Sequence, residues 1–232
     1  MHKILDSVTM KIFFTASLIV CLISTSTLFA FGEIRLYNYG FTKYHINEST
    51  GIPDDKLKII AGEIIEYLVG NSNTLDININ NQPLFKEKEI IHMADVKTLI
   101  EKVKLAKVIS FALLIAIVIL IFNPVKLFKQ KKLSSNSIIG ILDVLKFSSL
   151  VTIIIILLSG IVLAIAFRPL FYLFHELSFR NDYWQLDPRS DYLVMLFPEG
   201  FWIDATLILV AVVFLQAIGI LAGVTFFKRL LK

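Results

Sequence analysis

Charge is what this 232-residue chain has little of. Asp, Glu, Lys and Arg make up 18% of it, against about a quarter in a soluble domain. Hydrophobic residues make up 56% and mean hydropathy is +0.74. That balance excludes an ordinary soluble globule and points to a membrane protein. Cysteine is nearly absent. Cys21 stands alone, so no disulfide can form within the chain, and a thiol set in an apolar run is a poor nucleophile and serves packing. No internal repeat and no low-complexity tract occurs. Also missing are the G-x-S-x-G elbow, H-E-x-x-H, zinc-spaced Cys and His, and a Gly-rich phosphate loop. No cofactor is implied.

What the sequence does have is four long apolar runs, at 12–31, 108–122, 147–167 and 205–227. About 20 such residues span a bilayer, within a range of roughly 17–25. The second run reaches that length if Lys107 snorkels, keeping its ammonium at the interface. The first is too long for the h-region of about 7–15 residues in a cleaved signal peptide, and reads as a retained anchor. The fold class expected is mainly α and integral to the membrane: four transmembrane helices with a small extracellular α(+β) cap. The expected layout is a tail and first span (1–31), a cap loop (32–104), a second span (105–125) and a basic loop (126–146). A third span (147–167), an aromatic loop (168–204) and a fourth span with its tail (205–232) complete it.

Charge sets the expected topology. The segment to Lys11 is net +1, 123–146 is net +4 and the tail 228–232 is net +3, whereas 32–104 is net −2 and 168–204 is net −3. Lys and Arg concentrate in short cytoplasmic loops. Both termini are therefore expected in the cytoplasm and the two acidic loops outside. The basic residues fix orientation and meet anionic lipid, so no nucleic-acid partner is implied.

Within 32–104, GIPDDKLKIIAGEIIEYLVGN predicts a helix: Pro53 and Asp54 open it, Leu57, Ile60, Ile64 and Leu68 share a face, and Gly70 closes it. TLDININN alternates Leu75, Ile77 and Ile79 with polar residues and predicts a short strand, and YNYGFTKYHI suggests another. From about Phe85 or Lys86 the chain reads as one helix into the second span. Loop 168–204 holds ten aromatics in 37 residues, including both tryptophans. Interfacial Trp and Tyr sit at headgroup level, so this loop is expected along the outer surface, with 192–197 and 201–202 dipping among lipids.

Of the four histidines, His2 is cytoplasmic by topology and His45, His92 and His175 are outside. His175 lies seven residues past Arg168, about 10 Å along a helix. His92 lies a few turns ahead of the second span. Both therefore reach the headgroup layer, where they are able to meet. Glu89, His92 and Asp95 are spaced by three and share a helical face. A carboxylate beside an imidazole holds its tautomer and raises its basicity, which makes Asp95 the expected orienter of His92. Glu176, Asn181, Trp184, Asp187 and Asp191 lie near His175 in sequence. Two histidines without an activated Ser or Cys point to acid–base work on a substrate that brings its own nucleophile. A metal held by His92, Asp95 and His175, as in a membrane hydrolase, is an alternative, and so is a non-catalytic scaffold or lipid-binding protein.

Residues 84–97, LFKEKEIIHMADVK, and 174–202, FHELSFRNDYWQLDPRSDYLVMLFPEGFW, resemble the lipoprotein intramolecular transacylase (Lit) family of Gram-positive bacteria. The likeness is carried by His92-Met93-x-Asp95-Val96 and by the block with His175, Asn181 and Trp184, and the four-span layout extends it over the chain. It implies a multi-pass enzyme of the cell membrane with its site at the extracellular face. The implied substrate is a diacylated lipoprotein among membrane lipids, and the reaction moves the sn-2 acyl chain of its diacylglyceryl group to the α-amine of the N-terminal cysteine, giving the lyso-form. The essential histidines would be His92 and His175, with Asn181, Trp184 and Met93 as substrate-binding or oxyanion candidates.

Overall fold

Uncharged runs as long as these have one stable form in lipid, the helix, because it satisfies its own backbone. A computed structural model describes residues 8–122 and 135–231. His2, Lys3, Asp6, the Asn123-Pro124 break, Lys126, Lys129, Lys131, Lys132 and the final Lys232 lie outside the described residues. The elements are α1 (Val8–Gly32), α2 (Ile34–Lys43), α3 (Ile46–Thr50), α4 (Asp54–Leu68), β1 (Asn78–Ile79), β2 (Gln82–Pro83), α5 (Glu87–Phe122), α6 (Ser135–Ser178), α7 (Tyr192–Leu196) and α8 (Glu199–Leu230). Four helices, α1, α5, α6 and α8, are long and apolar enough to cross a membrane. They contain the four apolar runs, and α5 carries its helix unbroken from Glu87 as the sequence predicts.

The chain divides into two compact units. The first comprises the described parts of Met1–Ser26, Lys104–Ile161 and Val210–Lys232. Its large side chains, such as Phe13, Leu113, Ile154, Leu158 and Phe226, are exposed, the surface that lipid covers. Its helices are joined by hydroxyls and small residues. Thr15 and Ser148 share a hydrogen bond of 2.8 Å, and a Cβ at Gly160 would lie 2.9 Å from Val210. Without a hydrophobic force between helices in lipid, such contacts supply association.

The second unit comprises Thr27–Val103 and Val162–Leu209. In α4, Leu57, Ile60, Ile64 and Leu68 are buried as their spacing predicts. Leu75 and Ile77 also face inward, but the strand is only two residues long; its hairpin turns at Asn80 and Asn81, both at positive φ, as a two-residue loop demands. YNYGFTKYHI is not a strand. It folds as α2 because Tyr37 and Phe41, four apart, are the buried aromatics while Tyr39 is exposed. The segments expected among lipids are corrected too. Leu193, Leu196, Phe197 and Phe201 lie in this unit's hydrophobic core, where Phe197 meets Tyr37 edge-on at 5.7 Å. Short helices bury too little on their own, and these side chains complete their core.

Past its apolar stretch, α6 continues to Ser178 but is broken at Ala166, whose φ of −125° and ψ of 36° are not helical. Pro169 explains the break: it has no N–H for the carbonyl of Ile165, and its ring crowds that carbonyl.

Candidate active site

α5 supplies His92 from its second turn, 13 residues ahead of Leu105. α6 supplies His175 from its last turn, beyond Arg168. Both lie outside the four uncharged apolar runs and inside the second unit. The two rings converge, with centroids 6.1 Å apart and planes inclined by 33°. Each residue is only 8% exposed. Phe179 fills the angle between them, 5.1 Å from His92 and 5.5 Å from His175.

The environment of each ring follows from its helix. Nδ1 of His175 lies 2.7 Å from the carbonyl of Phe171, one turn back. A carbonyl only accepts, so Nδ1 carries the proton and Nε2 holds the free lone pair. Nδ1 of His92 is buried and has no hydrogen-bond partner. Burial lowers the pKa of His92 to about 4, helped by the nearby His175 and opposed by Asp95. Burial also lowers that of His175, against the pull of the Phe171 carbonyl. At neutral pH both imidazoles are uncharged, one of them a base with a fixed tautomer.

The carboxylates that share the His92 face have other partners. The side-chain amide of Asn181 donates to Asp95 at 2.9 Å, so Asp95 does not orient His92 through a bond to Nδ1, contrary to the expectation from spacing. It clasps the turn that follows α6. Asn181 also accepts from the Tyr183 N–H at 3.1 Å, which makes it a brace at both ends of its side chain. Trp184 lies against His175 with ring centroids 5.2 Å apart and meets Tyr172 edge-on at 5.9 Å. Met93 belongs to the hydrophobic core. His45 sits apart, exposed, with Glu48 at 3.5 Å.

Glu89 and Asp191 play parts that the sequence did not suggest. Glu89 is fully buried and accepts from the N–H groups of Lys86 at 2.8 Å and Leu193 at 2.6 Å, capping α5 and the start of α7 together. Asp191 is also fully buried; Lys86 and Lys88 reach it at 2.9 and 2.5 Å, and the Asp187 N–H donates at 2.7 Å. Burial pushes this carboxyl up, but Lys88, the Asp187 N–H and Lys86 outweigh it and hold the pKa well below the carboxylate range. The only sequence signal was an Asp just ahead of the apolar stretch 192–197, a helix-start position. Among the described residues, no group of three or more His, Cys, Asp or Glu side chains is arranged to hold a metal ion.

The family model described as Lipoprotein intramolecular transacylase Lit matches residues 12–202. No curated protein sequence matches the chain. Among solved structures, the membrane-integral lipoprotein intramolecular transacylase Lit from Bacillus cereus is similar at 21% identity, with 96% of this chain and 97% of that chain covered and a TM-score of 0.73. A form of that protein with a histidine changed to arginine is 20% identical, with 97% and 94% covered and a TM-score of 0.72. A form with a histidine changed to alanine is 20% identical, with 95% and 93% covered and a TM-score of 0.73.

Proposed function

Because the chain belongs to the lipoprotein intramolecular transacylase family, we propose that it moves the sn-2 acyl chain of a diacylated lipoprotein to the α-amine of the lipoprotein's N-terminal cysteine. The observation that carries this reading is the convergence of two buried, neutral imidazoles, one with its lone pair fixed at Nε2. Amine and ester belong to one substrate, and a well-oriented intramolecular reaction gains about 7–11 kcal/mol from proximity. No enzyme nucleophile is needed.

An α-amine has a pKa of about 7.7–8.0 and must lose a proton before or during attack. The ammonium first gives one proton to solvent, and His175 Nε2 takes a second as the now neutral nitrogen attacks the ester carbonyl. The tetrahedral intermediate collapses by breaking the bond to the sn-2 oxygen, and the His175 imidazolium returns its proton to that oxygen, which otherwise leaves poorly. The products are an amide on the cysteine and a free glycerol hydroxyl. His92 accepts a hydrogen bond from the amine at its unpartnered Nδ1 and aims the nitrogen lone pair. Asp95 and Asn181 position the two histidines relative to one another. The charge bias supports a cytoplasmic location for both termini and an extracellular site.

His175→Ala and His92→Ala test the proposal when lipoprotein N-terminal peptides are analysed by mass spectrometry. Loss of acid–base catalysis costs about 10²–10⁴-fold, so lyso-form product is expected to fall below detection. Unchanged lyso-form from either variant overturns the assigned roles and favours a non-catalytic scaffold.

A further inference from the structure

A buried base that takes up a proton becomes a buried cation. In triads of the serine-protease type an aspartate stabilises that imidazolium. Here the ring of His175 bonds to a main-chain carbonyl, and Asp95, the acidic group on the neighbouring helix, is bonded to Asn181. Titratable groups near His175 include His92 on α5 and, on its own helix, Tyr172 and Glu176, both exposed. What surrounds His175 is aromatic. Phe171 lies 4.2 Å away, Trp184 5.2 Å, Phe174 5.3 Å and Phe179 5.5 Å, centroid to centroid. All are inside the roughly 6 Å at which the face of an aromatic ring attracts a cation, and the face of Trp attracts most strongly.

We propose that this aromatic box, with Trp184 as its strongest wall, holds the imidazolium formed on His175 in mid-reaction and takes the place of a triad carboxylate. Trp184 is then a positioning residue that acts through His175. Its indole plane is inclined by only 38° to the imidazole and is pinned from outside by Tyr172. The role rests on the proton transfer assigned above, but the charge preference of the box does not depend on the identity of the substrate.

The test uses the full chain in nanodiscs with ¹³C-labelled histidine, the His175 resonance being assigned by its loss in His175→Gln. Removing an aromatic wall removes an attraction for the charged form, so Trp184→Leu is expected to lower the titration midpoint of His175 by about 0.4 to 1.5. Trp184→Phe is expected to restore most of it. The plateau kcat of Trp184→Leu is expected to fall about 2- to 30-fold, and the acid limb of its kcat/KM profile to move to lower pH. If Trp184→Leu slows turnover while the His175 midpoint stays in place, the residue is merely structural and the proposal is overturned. If Trp184→Leu does not fold, Phe171→Leu, which keeps the main-chain acceptor, gives the same reading; an unmoved midpoint there also overturns it. A midpoint that moves as expected in a protein without transacylase activity leaves the box standing and removes the proposed function.

Discussion

His92 is a basic side chain held where charge is unwelcome, and its pKa ties stability to pH. Its folded-state value, about 4, lies below the ordinary 6.5, so between these values the unfolded chain binds more protons than the native one. The contribution to stability is fully present above about 6.5 and is lost as pH falls towards about 4. The thermal midpoint in detergent is expected to drop across this window, and His92→Gln is expected to flatten the drop. Asp191 carries a different cost. Asp191→Ala removes the acceptor for the Asp187 N–H and the anchor for Lys86 and Lys88, whose ammoniums remain hydrated because they are partly exposed. A loss of about 1–3 kcal/mol, read from thermal unfolding, is the expected size for such a hydrogen bond.

At the scale of elements, α5 and the turn after α6 are clasped by Asp95 and Asn181. A misplacement of 1 Å costs about 10²-fold in rate, so Asp95→Ala and Asn181→Ala are each expected to lower kcat by up to that factor. Because both remove the Asp95–Asn181 bond, the double variant is expected to be little worse than Asn181→Ala, which also loses the acceptor for the Tyr183 N–H, a coupling that a double-mutant cycle in kcat measures. α2 and α8 meet where Gly40 leaves room for a ring: a Cβ there would stand 2.3 Å from Phe201. Gly40→Ala forces that ring aside, with an expected loss of about 1–3 kcal/mol from overpacking. Local periodicity made some elements legible in advance. The face of α4 and the unbroken run of α5 could be read because every residue involved lies within a few turns. YNYGFTKYHI looks like a strand because Tyr37, Tyr39 and Phe41 alternate with Asn38 and Gly40, whereas tertiary packing of Tyr37 and Phe41, one helical turn apart, decides its period. The partner of Asp191 was illegible because Lys86 is 105 residues away and no local pattern couples them. The partner of Asp95, Asn181, is illegible for the same reason: spacing shows which side chains share a face, and the packed neighbour decides what they bond.

For the molecule as a whole, the sequence disclosed most through its charges, which separate four apolar helices into acidic and basic connections. With Cys21 replaced by Ser, a cysteine at Ser49 is expected to react with an impermeant maleimide on intact cells, and a cysteine at Leu231 only after permeabilisation. The reverse pattern would turn the proposed orientation inside out. The convergence of His92 and His175 came from a different source. It was anticipated through a family resemblance and a common depth estimate, because no periodic pattern relates two helices 83 positions apart in their histidines. The acceptor that fixes the tautomer of His175 is the main-chain oxygen of residue 171, and the genetic code rewrites only side chains. Whatever amino acid stands at 171, a helical peptide oxygen remains, so drift at that site leaves intact which nitrogen of His175 is basic.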